Sequence, residues 1–89
     1  MNKHIDFQER AWVDYTYWQN QDKKTLKKIN ELQDIVRNGY EGIGKPEPLR
    51  GDFAGWWSRH IDDANRIVYR LVGDEVVEIS QCREHYGNK

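Results

Sequence analysis

The sequence predicts an α+β domain, two helices laid against one side of an antiparallel sheet, and three observations predict it. The N-terminal half carries apolar residues at helical spacing. The C-terminal third alternates polar and apolar residues at period two, and 89 residues suffice for one domain, taken here as residues 1–89. A chain of this size leaves no room for the several βαβ units of a dinucleotide-binding fold.

Residues 3–7 alternate polar and apolar and predict a short first strand. From Glu9 to Gln19, Ala11, Tyr15 and Trp18 recur at i, i+4, i+7 with Trp12 beside them, the spacing of a helix face turned to a core. Val13 and Tyr17 form a second stripe, which reads either as packing against the next helix or as a surface for a partner. Asp22 is placed to cap a second helix running to about Asn38, where Gly39 stops it. Leu26, Ile29, Leu32 and Val36 fall on one side of that helix. Lys23, Lys24, Lys27 and Lys28 crowd the other, a solvated face or a phosphate-contacting one. So short a joint predicts an αα-hairpin.

Residues 39–55 gather Gly39, Gly42, Gly44, Pro46, Pro48, Gly51 and Gly55, and predict a long loop. Structureless loops of that length are uncommon in small domains unless they carry function. Three strand-like runs follow, Trp56–Ile61, Arg66–Val72 and Glu75–Arg83, joined by turns short enough to force an antiparallel meander. In the middle run Ile67, Tyr69 and Leu71 point to the helices, while Arg66, Val68 and Arg70 point away.

The net charge of −1 and a pI near 6.3 give no polycation, so any case for nucleic-acid binding rests on where the charges lie. Aromatic residues at 12%, four of them Trp, argue against disorder and for a core that leans on rings rather than aliphatic bulk. A lone Cys82 allows no internal disulfide, which fits a reducing compartment. The first residues hold no apolar signal core, and no apolar run approaches membrane-spanning length. The expected location is the cytoplasm, with no membrane partner.

The residues that could carry chemistry are Glu47 between two prolines, Arg50, Arg59, Arg66, Arg70, Arg83, and His85-Tyr86. His4, His60, Cys82 and His85 are scattered without ligand spacing, so neither a metal nor a cofactor is expected. There is no phosphate-binding glycine loop and no nucleophile elbow. A carboxylate, an imidazole and guanidiniums are the minimum set for cutting RNA without a metal: a base for the 2′-hydroxyl, an acid for the departing 5′-oxygen, and fixed positive charge for the transition state. Each residue alone also reads as an ordinary surface side chain. Composition and spacing therefore give a small α+β domain with RNA as one candidate substrate.

Taken in order, six segments carry a family resemblance: Asp14-Tyr15-Thr16-Tyr17-Trp18-Gln19, Lys27-Lys28-Ile29-Asn30-Glu31-Leu32, Gly42-Ile43-Gly44-Lys45-Pro46-Glu47-Pro48-Leu49, Trp57-Ser58-Arg59, Arg66-Ile67-Val68-Tyr69 and Cys82-Arg83-Glu84-His85-Tyr86. Together they resemble the YoeB/Txe toxins of bacterial toxin–antitoxin systems, within the RelE superfamily. The resemblance implies a compact RelE-like microbial-ribonuclease fold and cleavage of messenger RNA in the A site of the 70S ribosome. It assigns Glu47 as general base, His85 as general acid, Arg66 as transition-state stabiliser and Tyr86 as a supporting residue. Lys45, Arg50, Arg59 and Arg83 become substrate or phosphate contacts. It implies a YefM-like antitoxin, a homodimer, and contact with operator DNA only through the antitoxin complex. Non-catalytic inhibitors such as the ParE toxins share the superfamily, and have no need of the Glu47, Arg66, His85 and Tyr86 combination. The chain departs from the pattern in its Gly87-Asn88-Lys89 extension and in Glu84, whose negative charge beside His85 would favour the imidazolium.

Overall fold

The computed structural model describes residues 4–19, 22–73 and 75–83, and within 22–29 the backbone alone. Strand β1 (His4–Phe7) leads into helices α1 (Glu9–Trp18) and α2 (Asp22–Asn38). Then come a two-residue strand β2 (Glu47–Pro48), a 3-10 turn at Gly51–Phe53, and strands β3 (Trp57–His60), β4 (Arg66–Val72) and β5 (Val76–Gln81). The five strands form one sheet in the order β1-β5-β4-β3-β2.

The β3-β4-β5 meander is antiparallel as its short turns require. Two features differ from the sequence expectation. The first strand joins the far edge parallel to β5, His4 beside Val76 and Phe7 beside Ile79, so the sheet is mixed rather than antiparallel. The α1-α2 segment supplies the crossover that a parallel pairing needs. The stretch read as loop contains β2, which pairs Glu47 with Ser58 and Pro48 with Trp57. Two prolines hid it, yet proline is tolerated on an edge strand, and β2 is the outermost one.

The face toward the helices is the core. Ala11 and Trp18 of α1, Leu32 and Ile35 of α2, Ile61, and Ile67, Tyr69, Val77 and Ile79 of the sheet are buried together with Cys82. Each such aliphatic side chain contributes about 1.5–3 kcal/mol. Val13 and Tyr17 are 56% and 40% exposed, so the second stripe of α1 faces solvent rather than α2. Gly39 ends α2 at a φ of +65°, with its N–H bonded to the Ile35 carbonyl at 2.9 Å. The lysine face of residues 23–28 and the joint at residues 20 and 21 lie outside the described side chains. Among the described residues no helix is long and apolar enough to cross a membrane.

Candidate active site

Strand register decides which of the candidate residues share a surface. Trp57, Arg59, Ile67 and Tyr69 lie on the helix side, so their alternating neighbours Ser58, His60, Arg66 and Val68 lie on the other. Glu47 pairs with Ser58, and Ser58 with Val68, which sets the Glu47 carboxylate on that second face. His60 pairs with Arg66 on the same face. The proposed base and the proposed stabiliser thus stand on β2 and β4 with β3 between them.

Glu47 is exposed, and the backbone behind it is held. The His60 N–H donates to the Gly44 carbonyl at 2.7 Å, which extends the β2-β3 contact to the residues just before the strand. Gly44 adopts a φ of +79°, a left-handed backbone that favours glycine, and a Cβ there would stand 2.5 Å from a Glu31 carboxylate oxygen, which would have to shift. Lys45 follows at a φ of +52°, a left-handed backbone that side-chain-bearing residues seldom adopt, and is exposed beside Glu47. Arg50 is exposed at the start of the 3-10 turn. The Arg66 side chain is buried against the β3-β4 turn, where its Nη1 donates to the carbonyls of Asp62, Asp63 and Asn65 at 2.7, 3.2 and 3.1 Å. Those bonds fix the guanidinium plane and leave Nε and Nη2 free of partners among the described residues.

Arg59 overturns an expectation. It was expected at the substrate, and it is fully buried on the helix side. Its five N–H groups meet five acceptors: the Tyr69 hydroxyl, Asp34, and the carbonyls of Ile43, Gly39 and Glu41. The Tyr69 hydroxyl donates in turn to Gly39, and Asp34 also accepts from the Ile43 N–H and from Asn38. Burial works to raise the Asp34 pKa, but hydrogen bonds from Arg59, Ile43 and Asn38 outweigh it and hold the carboxyl below its ordinary value. Burial works to lower Arg59, and its bonds with Tyr69 and Asp34 hold it above the ordinary guanidinium value. Burial likewise pushes the Tyr69 phenol up. Arg59 is therefore the core of the loop that leads to Glu47. Its parity with Trp57 and Ile61 was the signal in the sequence; the partner Asp34 had none, being one acidic residue among many.

Arg83 has partners on α1. Its guanidinium lies over the Tyr17 ring, 4.1 Å from the centroid, with Nε 3.6 Å from the Asp14 carboxylate, so it is engaged with α1 rather than with the Glu47 face. Asp14 is buried on α1 and accepts from Arg10 at 3.0 Å and from the Cys82 N–H at 3.1 Å. Trp18 Nε1 donates to the Cys82 carbonyl at 2.6 Å. The chain is thus clamped on both sides of Cys82 as it leaves the sheet. His85 and Tyr86, with Glu84, lie outside the described residues. Among the described residues no three His, Cys, Asp or Glu side chains gather as a metal site requires.

Residues 7–86 match the family described as the YoeB-like toxin of bacterial type II toxin–antitoxin systems. A protein named Toxin YoeB from Streptomyces coelicolor is 49% identical over 83 residues, covering 92% of this chain and 98% of its own. A YoeB dimer from Staphylococcus aureus superposes with a TM-score of 0.82 at 45% identity, over 97% of this chain and 100% of that one. A heterotetrameric YoeB-YefM toxin-antitoxin complex from the same organism gives 0.82 at 44% identity with the same coverage.

Proposed function

From the premise that the chain belongs to the YoeB-like toxins of bacterial type II toxin–antitoxin systems, we propose that it is a ribosome-dependent endoribonuclease that cuts messenger RNA in the A site. The observation that supports this most is the common face of Glu47 and Arg66, an exposed carboxylate and a braced guanidinium separated by one strand.

In this reading Glu47 removes the 2′-hydroxyl proton, and the 2′-oxygen attacks the adjacent phosphorus. Arg66, already held through Nη1, turns its remaining N–H groups to the phosphorane oxygens. His85 protonates the departing 5′-oxygen, and Tyr86 supports it. The products are a 2′,3′-cyclic phosphate and a 5′-hydroxyl. Lys45 and Arg50 hold flanking phosphates. A protein of net charge −1 has little affinity of its own for a polyanion, and the ribosome would supply the positioning. The same reading carries a cytoplasmic location, a homodimer, and a YefM-like antitoxin that folds over the toxin and brings the pair to operator DNA.

The test is 5′-end mapping of one defined messenger, naked or programmed on ribosomes with an open A site, with wild type, Glu47→Gln and His85→Ala. New ends inside the A-site codon, seen only on ribosomes and lost in both variants, are expected. Equal cutting of naked RNA would remove the ribosome from the mechanism. Arrest of translation without a new end would make the protein a binding inhibitor.

A further inference from the structure

We propose that His60 is a further substrate-contacting residue, the group on which a phosphodiester rests between Glu47 and Arg66. The inference builds on the reading of those two residues as the ends of one site.

The argument is one of position. Glu47 is on β2 and Arg66 on β4, so whatever bridges them passes over β3. Of the four residues of β3, Trp57 and Arg59 face the helices. Ser58 faces the site and is fully covered. That leaves His60, which is partly exposed. It stands directly opposite Arg66, where paired side chains begin about 4.5–5.5 Å apart at Cβ. It is also the diagonal neighbour of Glu47, whose own partner is Ser58 two residues earlier, a separation of about 7–8 Å. An imidazole there reaches a phosphate oxygen held by Arg66 while Glu47 addresses the sugar. Its backbone is fixed from both sides, by the β4 ladder and by the bond to Gly44, so the ring enters the site from a rigid strand. The charged groups that register sets beside it are Arg66 across the β3-β4 ladder and Glu47 on the diagonal. In its imidazolium form the ring donates to phosphate through both nitrogens.

Because the protein alone holds RNA only weakly, the experiment works at NMR concentrations, where Kd values of about 1 mM are still read from ring shifts. The full chain is titrated to saturation with a short RNA whose 2′-hydroxyls are all 2′-O-methyl, so that it cannot be cut, and the histidine ring signals are followed. Kd is measured for wild type, His60→Gln and His60→Arg, and each is assayed for cleavage on programmed ribosomes. We expect a saturable shift of the His60 ring, binding weakened about tenfold in His60→Gln, and binding within about threefold of wild type in His60→Arg, because a charge-assisted bond is lost in the first and kept in the second. Rescue by arginine separates contact from mere packing. A silent His60 ring, or His60→Gln binding as wild type does, overturns the proposal even where wild type cuts messenger. A shifted ring with the expected affinities but no cleavage by wild type would keep the phosphodiester contact and remove the ribonuclease reading instead.

Discussion

At the scale of single residues, two charged side chains of similar promise in the sequence have opposite fates. Glu47 is exposed, so Glu47→Gln should leave the melting temperature unchanged while lowering single-turnover cleavage about 100-fold or more, the contribution of a general base. Arg59 is buried with every donor engaged, so Arg59→Ala should destabilise the fold by about 3–5 kcal/mol in urea unfolding, because it strands Asp34 and three backbone carbonyls. Arg59→Lys should not rescue it, since an ammonium has three donors for five acceptors. The same cluster sets an acid dependence. The Asp34 pKa is lower in the folded protein than its ordinary value, so its stabilising effect is full above about pH 4 and is lost as pH falls through the folded-state value. Urea unfolding of wild type and Asp34→Asn between pH 5 and about 2.5 should show that slope flattened in the variant.

At the scale of elements, the helices and the meander were legible because each carries its own period, 3.6 residues in α1 and α2 and two in β3, β4 and β5. What was not legible depends on partners distant in sequence. Strand β1 gives no local sign that it will lie parallel beside β5, and Glu47-Pro48 becomes a strand only because Trp57 and Ser58 arrive alongside. The candidate site divides the same way. Strand parity alone sets Glu47 and Arg66 on the face opposite the helices, whereas the resemblance could not show that Arg59 is drawn into the core by register and by Asp34, or that the Arg83 guanidinium lies against Tyr17 and Asp14 of α1. Asp14 of α1 anchors the N–H of Cys82, three residues before His85 in the sequence, and so ties the end of the sheet to the helix. Asp14→Ala should cost about 1–3 kcal/mol, the penalty of an unmet buried donor, and lower cleavage by more than that loss of stability explains at a temperature where the variant is folded. Gly44→Ala, with a strained φ and a Cβ that displaces the Glu31 carboxylate, should lower both stability and cleavage, measured by thermal melts and end mapping.

At the scale of the whole molecule, a five-stranded sheet shields its core with two helices on one face and presents on the other the edge region from β2 to β4, where the proposed chemistry lies. The architecture agrees with the charge balance. Acidic and basic residues nearly cancel, and several basic groups are engaged within the fold, Arg59 in the core, Arg83 against α1 and Arg66 through Nη1 at the β3-β4 turn, while Lys45 and Arg50 are exposed. Such a surface suits a substrate delivered in position better than one captured from solution. The central claim is attack by the 2′-oxygen under Glu47 and Arg66. It is tested most directly by programming ribosomes with two messengers identical except that one has a 2′-deoxynucleotide at the cut position. Cleavage of the all-ribose messenger to a 2′,3′-cyclic phosphate and a 5′-hydroxyl, with the deoxy messenger left whole, is the predicted result; cutting of both messengers at the same bond would contradict it.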